Sequence, residues 1–169
     1  YKQTEVGVIP EDWDVATVSD ACDLVVDCKN RTPRFVSHSE FAVVRTSNVR
    51  NGRFLDVDLR FTDYESFRRW TSRATPKTGD IMLTREAPLG EVCAVPETPS
   101  VCLGQRMMLL RPSGHVAQSS YLLFTLMSEV VKGNLLKKIG GSTVGHAKVD
   151  DIRFLPVPLP PLEEQKHIS

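Results

Sequence analysis

Two stretches of the sequence concentrate side chains that could bind phosphate groups and the edges of nucleic-acid bases. Residues 29–53 carry six basic residues against one acid, and residues 106–148 carry another six against one, so each stretch has a net charge of +5. Lysine and arginine neutralise phosphates, whereas arginine, asparagine and glutamine can form two hydrogen bonds to a base edge. A solvated surface shows the same charge blocks, so charge alone leaves both interpretations open.

The first basic stretch surrounds a predicted hairpin. The apolar runs at residues 41–47 and 54–57 bracket Asn51-Gly52, a dipeptide typical of two-residue hairpin turns. Asn51 is therefore better explained as a turn former than as a contact residue. The candidate nucleic-acid contacts in this stretch are Arg31, Arg34, Arg45, Ser47, Asn48 and Arg50. Each of them could equally be an ordinary exposed polar residue.

Two short polar pairs are further candidates. Arg85 and Glu86 could present an arginine and a carboxylate to a guanine and a cytosine, or could simply hold a loop. Gln105 and Arg106 carry the same ambiguity, because Gln105 could bond to buried backbone instead.

The segment after Gly140-Gly141 is the preferred phosphate contact. Glycine leaves backbone N–H groups free to approach a phosphate oxygen. The candidates there are Ser142, Thr143, His146 and Lys148. For His146 taken alone, a structural role explains the residue better.

No signature of catalysis accompanies these candidates. A methyltransferase needs a glycine-rich loop and an Asn/Asp-Pro-Pro-aromatic site, whereas the only Pro-Pro here lies in Leu159-Pro160-Pro161-Leu162. A nuclease needs clustered carboxylates to hold a metal ion, and Glu164-Gln165-Lys166 resembles such a site only superficially. The four cysteines lack C-x2-C spacing, which favours free, packed thiols. We therefore expect neither catalytic residues nor a metal site.

The helices and strands that must position the candidate residues are predicted to form an α+β fold. Residues 15–18 and 64–72 are predicted helices, and residues 81–84, 91–95 and 107–110 are predicted strands of a compact, mainly antiparallel sheet. A long helix is predicted over residues 117–139, with a kink or break near Gly133-Asn134. A strand at 153–157 then leads through Pro158-Leu159-Pro160-Pro161 into a final helix, within which the sequence ends.

The composition is that of an ordinary globular domain. The chain has 169 residues, of which 41% are hydrophobic and 25% charged, which is enough for one main core. No stretch approaches the roughly 18 consecutive apolar residues of a membrane span, and the N-terminus has no secretory signal pattern. We expect a cytoplasmic protein that does not enter a membrane.

Four segments, in order and spacing, resemble one target-recognition domain of the specificity subunits of type I restriction-modification systems. The segments are Gly7-Val8-Ile9-Pro10-Glu11-Asp12-Trp13; Gly79-Asp80-Ile81 with Thr84-Arg85-Glu86-Ala87-Pro88-Leu89-Gly90; Leu103-Gly104-Gln105-Arg106; and Gly141-Ser142-Thr143-Val144 with Val149-Asp150-Asp151-Ile152 and Leu159-Pro160-Pro161-Leu162-Glu163-Glu164-Gln165. Each motif is weak alone, but together they span nearly the whole chain.

The resemblance implies a non-catalytic reader of one DNA half-site. Residues 1–157 would be the recognition domain, mixed α+β with flanking helices, docking in the major groove of double-stranded DNA. Residues 158–169 would be a Pro-rich connection and the start of a coiled-coil spacer helix. The implied partners are methyltransferase subunits and, in the full complex, a restriction and translocase subunit. This chain would bind no cofactor, and SAM, ATP and Mg²⁺ would belong to the partners.

Two other classes remain open from the residues alone. A protein-interaction or scaffold module would use the basic blocks for solubility and the terminal helix for docking, without reading bases. A small metal-dependent enzyme would bind a stoichiometric metal ion through cysteine or histidine.

Overall fold

The computed structural model describes residues 1–140 and 145–168. Its strands are β1 (Lys2–Thr4), β2 (Gly7–Ile9), β3 (Asp14–Thr17), β4 (Cys22–Asp27), β5 (Phe35–Val36), β6 (Phe41–Val44), β7 (Val49–Arg50), β8 (Arg53–Phe54), β9 (Arg60–Thr62), β10 (Ile81–Arg85), β11 (Leu89–Ala94), β12 (Ser100–Leu103), β13 (Met107–Pro112) and β14 (Pro156–Leu159). Its helices are α1 (Val18–Ala21), α2 (Tyr64–Trp70), α3 (Ser119–Met127), α4 (Glu129–Lys138), α5 (Val149–Arg153) and α6 (Leu162–Ile168), with a 3₁₀ helix at Thr46–Asn48.

Two four-stranded sheets form the framework of the described residues. The central sheet has the order β11-β10-β13-β4 and is antiparallel throughout. The second sheet has the order β12-β6-β9-β5, in which only β12 and β6 are parallel. A turn at residues 104–106 connects β12 to β13 and so joins one end of each sheet. The predicted α+β class, with a mainly antiparallel sheet and flanking helices, is confirmed.

Apolar side chains cover both faces of the central sheet. Ile81 and Leu83 pack with helix residues such as Leu122, whereas Met82, between them, packs with the second sheet. Successive side chains of a strand point to opposite faces, so a strand buried on both sides appears in the sequence as a continuous apolar run. This explains why the three predicted strands are found as β10, β11 and β13, and why the expected single core consists of two layers.

The long predicted helix is broken, but at a different residue. The helices α3 and α4 meet at Ser128, whose ψ of 147° is extended rather than helical. The Ser128 hydroxyl donates to the carbonyl of Thr125 (2.7 Å) and accepts from the amide of Val131 (3.4 Å), which caps α4. The predicted break at Gly133-Asn134 is wrong, because both residues lie inside α4 and the capping serine sets the break.

Two predicted boundaries near the termini are also wrong. Residues 14–17 form β3, which pairs with β14, and Thr17 caps the short helix α1 that follows. The strand predicted at 153–157 begins only at Pro156, because α5 extends to Arg153. In both places a short helix and a strand share a stretch that sequence periodicity assigns to one element.

The Asn51-Gly52 turn is present, but its strands are short. Asn51 and Gly52 have φ values of 51° and 79°, in the left-handed region that such two-residue turns require. The strands that flank them are the two-residue β7 and β8. The predicted arms at residues 41–47 and 54–57 are wrong, because β6 belongs to the second sheet and a 3₁₀ helix separates it from the turn.

The final helix is tied to the body of the domain. The buried side chain of Gln165 donates to the carbonyls of Val116 (3.0 Å) and Pro160 (2.9 Å), and it accepts from the amide of Gln118 (2.8 Å). Trp13 donates through Nε1 to Glu164 (3.1 Å), which ties this helix to the N-terminal segment. The predicted helix after the prolines is therefore found as α6.

Among residues 1–140 and 145–168, every helix is too short or too polar to span a lipid bilayer.

Candidate nucleic-acid interface

The turn that joins the two sheets carries two exposed polar side chains. The amide of Gly104 donates to the carbonyl of Val44 (2.8 Å), which ties the turn to β6. A Cβ atom at position 104 would lie 3.0 Å from that carbonyl oxygen, a tight contact, so the close approach favours glycine. Arg106 has a φ of 72°, which is uncommon outside glycine. Gln105 and Arg106 are thus exposed on a turn that backbone hydrogen bonds hold in place.

The end of β10 lies directly beside this turn. The amide of Arg85 donates to the carbonyl of Arg106 (2.8 Å), and the carbonyl of Arg85 accepts from the amide of Ala147 (3.0 Å). The Glu86 carboxylate lies 2.7 Å from Nε of Arg106 and 3.4 Å from Nδ1 of His146. Backbone and side-chain contacts therefore join three segments that are far apart in the sequence.

A buried threonine shapes the loop that contains Glu86. The hydroxyl of Thr84 donates to the carbonyl of Pro88 (2.6 Å) and accepts from the amide of Glu91 (2.9 Å). Because these bonds close the β10–β11 connection from inside, residues 86–88 form a compact loop at the end of the strands.

A shallow cleft of about 230 Å³ is lined in part by Gln105 and Arg106, the two exposed residues of the 104–106 turn. Its lining residues are Thr32, Arg45, Thr46, Ser47, Gln105 and Arg106. Gln105 donates to the carbonyl of Asn30 (3.4 Å), which closes the cleft on one side. Arg45 donates to the backbone carbonyl of Asp58 (2.6 Å) and to its carboxylate (3.2 Å). Hydrogen bonding to Arg45, supported by the charge of Arg60, lowers the pKa of Asp58.

A second cleft, of about 430 Å³, lies between residues 31–34 and α2. Its lining residues are Arg31, Thr32, Arg34, Asp63, Glu65, Ser66, Arg69 and Trp70. The guanidinium of Arg31 stacks 5.7 Å from the centre of the Trp70 ring, and Trp70 Nε1 donates to the carbonyl of Arg31 (3.0 Å). Arg34 pairs with Asp63 (2.9 Å), whose pKa is lowered by the Ser66 amide and then by Arg34.

Thr32 lines both clefts, so the two clefts and the Glu86 contacts form one continuous surface. We call this surface the polar edge and define it by Arg31, Thr32, Arg34, Arg45, Thr46, Ser47, Arg69, Arg85, Glu86, Gln105, Arg106 and His146. It combines guanidinium groups with hydroxyl, amide, imidazole and carboxylate groups, the set of groups that can bond to phosphates and base edges.

One predicted contact residue is buried. Asn48 has no exposed surface. Its side-chain oxygen accepts from the amide of Arg45 (3.0 Å), and its side-chain nitrogen donates to the carbonyls of Leu55 (2.8 Å) and Val57 (3.2 Å). The prediction that Asn48 contacts a base is therefore wrong for this conformation. The side-chain amide of Asn48 instead holds the 45–57 loop together.

Arg50 lies on the Asn51-Gly52 hairpin and not within the polar edge. Its guanidinium is 3.9 Å from Glu91, which also approaches Lys132 of α4 (3.9 Å). No hydrogen bond or ion pair between described residues connects Arg50 to Glu86 or Arg106. The single basic hairpin expected around Arg45 and Arg50 is thus divided between two places.

The segment after Gly140-Gly141, predicted to contact a phosphate, is only partly covered by the described residues. Ser142 and Thr143 lie outside the described residues. His146 belongs to the polar edge, and Lys148 is exposed two residues later, where its amide donates to Asp151 (2.8 Å) at the start of α5.

Sequence reasoning missed three residues of the polar edge, namely Thr32, Thr46 and Arg69, and the Trp70 ring on which Arg31 stacks. The run Arg68, Arg69 and Arg73 on one side of a predicted helix was a signal for Arg69. Thr32 and Thr46 carry no such signal, because only the tertiary fold brings them beside Gln105.

The cysteines are free and mostly buried. Burial raises the pKa of the thiols of Cys22, Cys93 and Cys102 to about 12, so at neutral pH they are protonated and weakly nucleophilic. The predicted free, packed thiols are confirmed. Among residues 1–140 and 145–168, no group of three or more histidine, cysteine, aspartate or glutamate side chains is arranged to hold a metal ion.

The described residues thus form a mixed α+β domain whose polar loops converge on one edge. The sequence profile of the type I restriction modification DNA specificity domain matches residues 10–169, and the chain belongs to this family. The predicted family, and the prediction of a specificity domain rather than a catalytic one, are confirmed.

Relatives and solved structures agree with this assignment. The chain is 26% identical to the type I restriction enzyme MjaVIII specificity subunit of Methanocaldococcus jannaschii, with all of this chain and 40% of the relative covered. It is 24% identical to the EcoKI specificity subunit of Escherichia coli, covering 96% of this chain and 36% of the relative. The fold is similar to that of the HsdS subunit of Thermoanaerobacter tengcongensis, with a TM-score of 0.64, 19% identity, and 96% and 36% of the two chains covered. The chain thus spans about 40% of the length of the curated relatives it matches.

Proposed function

We propose that this domain reads one half of a bipartite DNA sequence for a type I restriction-modification complex, without carrying out chemistry itself. The observation that carries the proposal is the polar edge. Residues from four separate segments, around positions 31, 45, 85 and 105, meet there through direct contacts and shared clefts. Such a convergence of arginine, amide and hydroxyl groups suits a duplex, which needs phosphate contacts for position and base-edge contacts for sequence.

The two clefts suit different parts of the duplex. The cleft with Arg31, Arg34 and Arg69 is rich in guanidinium groups and suits backbone phosphates. The loops that carry Arg85, Gln105 and Arg106 offer fork-shaped donors and an amide, which suit guanine and adenine edges. Lys148, exposed two residues after His146, would contact a further phosphate.

The complete assembly would follow the pattern of the family. The specificity subunit would join methyltransferase subunits, and a restriction and translocase subunit would complete the complex in the cytoplasm. SAM, ATP and Mg²⁺ would be bound by those partners. In this assignment the domain itself binds no cofactor, and α6 continues into a spacer that separates two half-site readers.

Selection of duplexes tests the proposal. The full specificity subunit, assembled with its methyltransferase subunits, is incubated with randomised duplexes at several salt concentrations, and the bound duplexes are sequenced. One bipartite sequence should be enriched. Recovery of no enriched half-site, with the complex intact, would contradict DNA reading and favour a scaffold role.

A matched pair of variants assigns the reading to the polar edge. Arg106→Gln removes a fork of donors and should weaken binding to the selected duplex by roughly 10- to 100-fold, since a bidentate contact contributes about 1–3 kcal/mol. Lys138→Gln removes one charge from α4, outside both clefts, and should leave discrimination unchanged. Equal effects of the two variants, measured by fluorescence anisotropy, would place the readout elsewhere.

A further inference from the structure

Glu86 is an acidic side chain of the polar edge, placed where the end of β10, the 104–106 turn and His146 meet. Its two carboxylate oxygens face different partners, Nε of Arg106 at 2.7 Å and Nδ1 of His146 at 3.4 Å. About a third of the side chain is exposed (31%), so it is accessible from the surface on which a duplex would lie.

Hydrogen bonds of the two preceding residues fix the backbone from which this carboxylate extends. Arg85, the preceding residue, donates its amide to Arg106 and accepts the amide of Ala147. Thr84, two residues earlier, closes the loop through its hydroxyl. Because three segments are bonded around it, the backbone at Glu86 cannot move away from an incoming duplex without breaking several hydrogen bonds, and the carboxylate stays within reach of Arg106 and His146.

A fixed carboxylate at a DNA surface has an unequal effect on different sequences. Near phosphates it is repelled, and against a base edge that offers only acceptors it is left without a partner after water is displaced. Against the amino group of cytosine it accepts a hydrogen bond, which compensates much of that cost. Selectivity of this kind comes from rejecting wrong partners rather than from added attraction to the right one.

We infer that Glu86 is a specificity-determining residue that weakens binding to non-cognate DNA more than binding to the cognate half-site. This inference rests on the proposed function and specifies how the polar edge would discriminate. It predicts an unusual outcome: removal of one charge at the interface should make the protein bind more DNA sequences, and bind the wrong ones more tightly.

The test uses Glu86→Gln, which keeps a side-chain oxygen that can accept from Arg106 but removes the negative charge. The full specificity subunit with its methyltransferase subunits is titrated with the selected duplex and with a scrambled duplex of equal length at one salt concentration. Affinity for the scrambled duplex should rise about tenfold, while affinity for the selected duplex stays within about threefold of wild type. The specificity ratio should therefore fall.

Asp58→Asn is the matched control. It removes an equal charge beside Arg45, at the rim of the neighbouring cleft, where the carboxylate is largely exposed. This variant should strengthen binding to both duplexes by the same factor. If Glu86→Gln also changes both affinities by one common factor, in either direction, Glu86 acts only through general electrostatics or through support of the loop, and the inference is overturned.

A double variant separates direct discrimination from an effect through Arg106. In the Arg106→Gln background, Glu86→Gln should still strengthen binding to the scrambled duplex. Loss of the effect in that background would reduce Glu86 to a residue that positions Arg106 and would overturn the inference. A misfolded variant cannot imitate the expected gain in affinity. Failure of the proposed function itself appears earlier, as absence of any sequence preference in the wild-type complex.

Discussion

The neighbouring strands β10 and β13 carry an arginine–carboxylate pair at each end, and the two pairs differ in their surroundings. At one end, Asp80 accepts from Nε and Nη2 of Arg111, both at 2.9 Å. At the other end, the Glu86 carboxylate forms an ion pair with Arg106, 2.7 Å from its Nε. The Asp80 side chain is 1% exposed, whereas those of Glu86 and Arg106 are 31% and 49% exposed.

The buried pair is part of a larger hydrogen-bonded unit. Asp80 also accepts from the amide of Lys77 (3.1 Å), and Arg111 donates to the carbonyl of Thr75 (3.0 Å). Hydrogen bonding to Asp80 raises the pKa of Arg111. This pair lies at one end of the central sheet, whereas the Glu86 pair at the other end is open to solvent. The same chemistry therefore stabilises the fold at one end and remains available for recognition at the other.

The largest effect is expected from breaking the buried pair. Asp80→Ala removes a fully buried carboxylate, which leaves the partly exposed Arg111 guanidinium and the Lys77 amide without their acceptor, and should lower the free energy of unfolding by about 3 kcal/mol. Urea unfolding followed by circular dichroism measures this change. Glu86→Ala, the matched variant at the exposed end, should cost less than about 1 kcal/mol. Equal losses for the two variants would show that burial does not distinguish the pairs.

The sequence predicts the two strands, β10 and β13, but not the arginine–carboxylate pairs at their ends. The apolar runs at residues 81–84 and 107–110 are long enough to identify β10 and β13. Arg85-Glu86 and Gln105-Arg106 could be singled out only as polar pairs beside turns, because their proximity depends on the antiparallel pairing of those strands. The role of Asn48 was equally inaccessible, since its hydrogen bonds exist only once the 45–57 loop is folded.

A third arginine, Arg31, sharpens the comparison because an aromatic ring holds it instead of a carboxylate. Among the described residues it has no ion-pair partner, and its guanidinium stacks on Trp70. Arg31→Gln should weaken binding to all duplexes alike, by roughly fivefold or about 1 kcal/mol, and lower the slope of log affinity against log salt by about 1. Binding measured at four or more salt concentrations checks both values.

Arg68→Gln is the control for Arg31. Arg68 also stacks on an aromatic ring of α2, that of Tyr64 at 5.9 Å, but it lines neither cleft. Its removal should leave the salt slope unchanged. A slope that falls equally in both variants would mean that the second cleft is not a phosphate site and that only total charge counts.

The smallest effect concerns the exposed pair of Arg45 and Asp58. Because the folded-state pKa of Asp58 lies below its ordinary value of 3.8, the contact stabilises the fold above that value, and its contribution is lost as pH falls through the folded-state pKa. The carboxyl resonance of Asp58, followed by NMR, should titrate below 3.8 in the wild type and closer to 3.8 in Arg45→Gln. Asp63, whose pKa is lowered first by the Ser66 amide, should titrate identically in both proteins. An unchanged Asp58 midpoint would mean that the contact between the Arg45 guanidinium and the Asp58 carboxylate does not form in solution.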